Sequence, residues 1–124
     1  MLRSPGFVVF WSLTLLAGLL AAFSAALAQS SLTPVNDKGQ VVLTIENHAF
    51  APAEIHVKAG QRAEILVNNL DATAEEFDST SLKIEKVVAG KSEAVVRLHA
   101  LDPGSYPFTG EYHADTAKGV VIAD

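Results

Sequence analysis

The chain has 124 residues, with 9 Lys and Arg against 14 Asp and Glu, a formal net charge of −5 at pH 7, no cysteine, and Met1 as its single methionine. That acidic balance argues against nucleic acid as a partner and favours cations. Without cysteine there is no disulfide, so the core and any bound metal must supply the stability of a small domain.

In chain order, Leu2 and Arg3 make a short basic start, Phe7 to Leu27 is an apolar run, and Ala26-Leu27-Ala28 is an A-x-A cleavage site. Residues 1–28 are therefore expected to be a signal peptide, with the mature chain beginning near Gln29. A retained anchor is the competing reading, because Phe7 to Ala28 approaches the length of one bilayer span. Cleavage is preferred because small residues cluster at the end of the run, as a signal peptidase requires. Cleavage removes Arg3 and no acid, which takes the net charge from −5 to −6. A Gram-negative periplasm is the simplest address for such a chain.

Residues 29–40 are polar and contain Pro34, Asn36 and Gly39, which reads as a short flexible lead-in. Residues 41–124 then form one domain with one core. Strands are predicted at Val41 to Ile45, Glu54 to Val57, Ala63 to Asn68, Leu82 to Val88, Glu93 to Leu98, Ser105 to Thr109 and Gly119 to Ala123. Ile55 and Val57 alternate with Glu54, His56 and Lys58, so one face is core and the other wet. Lys58-Ala59-Gly60-Gln61, Ala89-Gly90-Lys91 and Asp102-Pro103-Gly104 supply the turns. The spacing predicts an all-β sandwich, with Tyr106 placed as a tyrosine corner whose hydroxyl bonds back to the preceding connection.

His113 lies in a polar loop after a strand, beside Glu111 and Asp115, so imidazole and carboxylate donors fall within a few residues. The competing reading is an exposed loop histidine. A second region, Asp71 to Ser79, holds Glu75 and Glu76. Glu76 is ranked first and Glu75 is the alternative register. If Phe77 enters the core, period two puts Glu76 and Asp78 on the opposite side and Glu75 on Phe77's own side. The competing reading here is a charged surface loop. His48, just before Phe50, is the third candidate, with an exposed loop histidine as its alternative. His56 reads as a solvent-facing strand residue, and His99 lies before a turn, away from these loops. Imidazole and carboxylate donors from Glu76, Glu111, His113 and His48 suit Cu(II), Fe(II), Fe(III), Zn(II) or Mn(II) and disfavour Cu(I). Nothing in the sequence suggests a nucleophile triad or a glycine-rich phosphate loop.

The run Pro103-Gly104-x-Tyr106-x-Phe108, followed by Gly110, His113, Ala117 and Gly119, resembles the ligand loop of cupredoxins, with Gly110 where that pattern has cysteine and Ala117 where it has methionine. Phe50-x-Pro52-x4-Val57-x-Ala59-Gly60 resembles the opening of the same fold. Glu76-Phe77-Asp78, Glu85-Lys86-Val87-Val88 and Gly110-Glu111-Tyr112-His113 resemble the EfeO-type, cysteine-free cupredoxin-like proteins found with bacterial iron permeases of the Ftr type. The resemblance implies a Greek-key, cupredoxin-like sandwich that binds copper or iron through Glu76 and His113, with Glu111 and His48 in support. It implies a periplasmic role in ferrous iron uptake, with an iron permease and a periplasmic iron-binding protein as partners. A blue-copper electron carrier is excluded, because its thiolate and thioether are missing. Two alternatives stay open: a ferroxidase-like enzyme, and a metal-free adaptor sandwich of a membrane-associated complex.

Overall fold

The structure, a computed structural model, describes residues 2–6 and 31–124. The apolar run and cleavage site of the expected signal peptide lie outside the described residues. Among the described residues nine strands follow in order: β1 Gln40–Glu46, β2 Ala49–Ala51, β3 Glu54–Val57, β4 Ala63–Asn69, β5 Glu75–Ser79, β6 Ile84–Val88, β7 Ser92–Leu98, β8 Gly104–Gly110 and β9 Lys118–Ala123. A 3-10 turn, η1 at Glu111–His113, sits between β8 and β9. Among the described residues, no helix is long and apolar enough to cross a membrane.

The strands form two mixed sheets, β2-β1-β4-β7 and β3-β9-β8-β5-β6. β1 runs parallel to β4, from Gln40 beside Glu64 to Ile45 beside Asn69, and β3 runs parallel to β9. All-β architecture in two layers, the predicted class, is what the chain adopts. The alternation expected for β3 holds: Ile55 and Val57 are buried, whereas Glu54 is exposed. The same period makes Val41, Leu43 and Ile45 of β1 and Ile65 and Val67 of β4 inward-facing. These side chains fill the space between the sheets with Phe77, Val88, Val96, Leu98, Phe108 and Val121.

Three aromatic rings form the floor at one end of this core. Phe77 stacks on Phe108 at 4.8 Å, and Phe50 meets Phe108 edge-on at 5.1 Å. The close approach needs Gly119, where a Cβ would lie 2.3 Å from Phe108 Cζ. Tyr106 makes the expected corner, its hydroxyl donating to the Asp102 carbonyl at 2.8 Å.

Two strands lie outside the sequence expectation. β2 is a three-residue partner of β1, too short to carry a period. β5 is absent from the predicted strands, its acidic Glu-Glu-Phe-Asp-Ser giving no strand signal, yet it pairs with both β6 and β8. Two neighbours satisfy its backbone, which outweighs the low strand preference of its residues. The expected lead-in is tied to the sheets at β3 and at the start of β1, where Val35 also bridges Val41. Thr33 exchanges hydrogen bonds with His56, and the Asn36 side-chain oxygen accepts the N–H groups of Lys38 and Gln40.

Candidate functional site

Parallel pairing of β1 with β4 brings their C-terminal ends to one pole of the sandwich. The β1–β2 turn, the β4–β5 loop and the β8–η1–β9 connection meet there. The first presents His48, the second leads into Glu75, and the third carries His113.

Phe77 of β5 pairs with Gly110, the last residue of β8. Glu75 therefore extends past the end of β8, level with η1. Phe77 is fully buried, so Glu75 faces inward with it and is only 1% exposed. Its Oε1 accepts the backbone N–H of Tyr112 at 2.9 Å and of Glu76 at 3.1 Å. Its Oε2 lies 2.6 Å from His113 Nδ1. Both oxygens of a buried carboxylate are thus satisfied, which is the condition for burying it at all.

The His113 ring is about one quarter exposed, at 24%. The His48 ring stacks on it with centroids 3.6 Å apart and planes 11° from parallel. His48 is held in that place by its backbone. Asn47 and His48 both have positive φ, 53° and 57°, the geometry of a tight hairpin turn that L-residues adopt at a cost. Asp71 accepts the N–H of Asn47 at 2.8 Å and that of His48 at 2.9 Å. The hydrogen bond from His48, helped by that from Asn47 and opposed by partial burial, holds the Asp71 carboxyl below the ordinary carboxylate range. On the other side, Thr116 Oγ1 donates to the His48 carbonyl at 2.5 Å. Thr116 belongs to the His113 loop, so the two histidine loops are joined directly.

Asn69 organises the base of the β4–β5 loop. Fully buried, it donates through Nδ2 to the Thr73 and Val88 carbonyls at 2.9 and 3.2 Å and accepts the Asp71 N–H at 3.1 Å. Sequence reading assigned no role to Asn69, Asp71 or Thr116. A readable signal existed only for Asn69, which continues the inward period of Ile65 and Val67.

The structure thus joins two of the four predicted ligands, His113 and His48, and brings Glu75 to them in place of Glu76. Glu76 faces the opposite side of β5, where its carboxylate lies with those of Asp78 and Glu85, ligand atoms within 4.8 Å of one another. Glu111 stands exposed at the start of η1. His99 is exposed. His56 is only partly exposed and lies between Glu54 and Asp124, 2.7 and 3.5 Å from its two ring nitrogens.

Two imidazoles and a carboxylate suit borderline and hard cations. They do not make a thiolate centre, since Gly110 and Ala117 line the same interior volume and offer no donor.

The sequence matches the cupredoxin-like domain family over residues 14–123. It is 35% identical over 85 residues to an uncharacterized protein of Rickettsia prowazekii (strain Madrid E), covering 68% of each chain. Among solved structures, the fold resembles the metal-binding domain of the Cu(I)-exporting P-type ATPase CopA of Streptococcus pneumoniae D39, solved with Cu(I), at a TM-score of 0.63 and 19% identity, covering 76% of this chain and 99% of that one. It also resembles auracyanin A, a blue copper protein of Chloroflexus aurantiacus, at a TM-score of 0.59 and 15% identity, covering 68% and 98%.

Proposed function

The chain belongs to the cupredoxin-like domain family, and from that premise we propose that it binds a copper or iron ion through His113, Glu75 and His48, in service of ferrous iron uptake in the periplasm. The observation that carries the metal reading is the buried Glu75 carboxylate held against His113 Nδ1 at 2.6 Å, beneath a second imidazole. A charged donor, two nitrogen donors and an open outer side form a set that such ions accept. A bound ion would supply redox or Lewis-acid chemistry. The protein's own part is to fix Glu75 through the Tyr112 N–H and to set His48 over His113 through Asp71 and Thr116.

The finer reading rests on the sequence. Its likeness to EfeO-type proteins supports an iron-linked role beside a permease and a periplasmic iron-binding protein, and the signal-like N-terminus supports export. Negative charge at the site favours the ferric over the ferrous ion, which fits a step that oxidises or passes on iron.

Calorimetric titration of the mature protein with Cu(II), Fe(II) and Fe(III) tests the reading. Binding tighter than about millimolar that His113→Ala abolishes is the expected result. No binding, or binding untouched by that variant, sinks it. The metal-free adaptor remains the second reading because the Glu75–His113 pair satisfies itself without an ion. Capture of a membrane partner by the His113→Ala protein, together with negative titrations, would favour that alternative.

A further inference from the structure

Gly110 has no conformational need to be glycine. Its φ of −88° and ψ of 102° lie in the extended region open to every residue. Its position is nevertheless closed to any side chain. A Cβ built there would lie 2.6 Å from Glu75 Cδ, 2.9 Å from Glu75 Oε1 and 2.6 Å from Ala117 Cβ. The Gly110 N–H donates to the Ala117 carbonyl at 2.9 Å, so the backbone cannot swing aside without opening the loop that carries His113. Residues 75 and 110 therefore contest one volume, bounded on its third side by the fully buried Ala117.

We infer that Gly110 is a specificity-determining position of the site: by lacking a side chain it admits the Glu75 carboxylate, so an interior donor from β5 and one from β8 exclude each other. This inference rests on the metal-binding reading above and sharpens it. With Glu75 inside, the interior donor is oxygen, and the site favours Cu(II) and iron ions over Cu(I). A larger side chain at 110 drives the carboxylate from His113 and removes that preference.

The experiment is a double-mutant cycle in an Ala117→Gly background, which clears the third wall and leaves Glu75 as the contested neighbour. Gly110→Ala, Glu75→Ala and the double variant are titrated with Cu(II), and the His113 ring is followed by NMR in the metal-free proteins. Gly110→Ala is expected to break the Glu75–His113 pair and to weaken Cu(II) binding by at least about tenfold. In the Glu75→Ala protein the same change is expected to cost nothing further, because the feature it removes is already gone.

A second arm compares Cu(I) with Cu(II). In the same Ala117→Gly background, combining Glu75→Ala with Gly110→Cys is expected to shift preference toward Cu(I) by at least about tenfold. The inference is overturned if Gly110→Ala keeps the pair and the affinity, if it costs as much without Glu75 as with it, or if the cysteine variant shows no shift. Should the Gly110→Ala protein be too unstable to titrate, the double variant is expected to recover thermal stability, and failure to recover overturns the inference too. Absence of Cu(II) and iron binding by the unaltered protein overturns the metal reading itself, and the specificity claim with it.

Discussion

At the residue scale, Glu75 and Glu76 show how one step along a strand decides chemistry. They are identical in type and adjacent, yet period two buries one against His113 and leaves the other with Asp78 and Glu85 on the outer face. Glu75→Gln, which keeps the shape and loses the charge, is expected to weaken Cu(II) binding by at least about tenfold, whereas Glu76→Gln leaves it unchanged. Calorimetry on the two variants decides between them, and the reverse order of effects rejects Glu75 as the donor. Gly119 makes a separate prediction about packing. A Cβ there meets Phe108 Cζ at 2.3 Å and the Ala53 carbonyl oxygen at 2.9 Å, so Gly119→Ala is expected to cost roughly 1–3 kcal/mol by denaturant unfolding. Full wild-type stability in that variant would contradict the packing of the aromatic floor.

At the element scale, the β1–β2 turn and the outer side of β3 carry separate constraints. The turn keeps two residues at positive φ because Asp71 takes both of their N–H groups. Asn47→Gly removes the cost of that backbone and is expected to be neutral or stabilising by up to about 1 kcal/mol. Asp71→Ala is expected to lower the unfolding midpoint and to disorder the His48 ring, seen as loss of its contact with His113 in NMR. An unchanged His48 signal would count against the turn as the device that places it. On β3, His56 is held above its ordinary value of 6.5 first by its hydrogen bond to Glu54, with burial opposing and Asp124 adding to the rise. A raised folded value means that its stabilising contribution is complete below pH 6.5 and is lost as pH climbs through the raised value. His56→Gln is therefore expected to lose stability relative to wild type in mild acid, with the gap closing on the alkaline side, in thermal melts from about pH 5.5 to about pH 8.5. A gap independent of pH would place the effect in packing rather than in the proton. Asp71 at the turn and Asp124 at His56 each come from a distant part of the chain, which is why those two contacts were not legible in sequence, whereas Glu54 stands two residues from His56 on the same side of β3. His56 read simply as an outward strand residue.

At the scale of the whole molecule, an ion that binds only the folded chain raises the melting temperature by mass action. At a free concentration of one hundred times Kd the gain is about 2.7 kcal/mol, worth on the order of 10 °C or more in a domain of this size. Wild type is expected to show that rise with Cu(II) or Fe(III), and His113→Ala is not. A flat response from both proteins would favour the metal-free adaptor. The all-β class, most strand positions and the tyrosine corner were determined by the sequence, because they follow from period-two burial and turn residues that act over a few positions. Even the correct face of Glu75 followed from placing Phe77 in the core. What only the tertiary structure decided was which donors meet. β5 became a strand through pairing with β6 and β8, the parallel register of β1 with β4 brought their ends to one pole, and Asp71 and Thr116 fixed the ring of His48 over that of His113. The contacts of Asp71 and Thr116 with His48 join residues 23 and 68 positions apart, and the missing side chain of Gly110 acquires meaning only when Glu75 fills the space it leaves. Local pattern fixes which way a side chain points along its own strand, whereas the partner it meets depends on how separate strands are brought side by side.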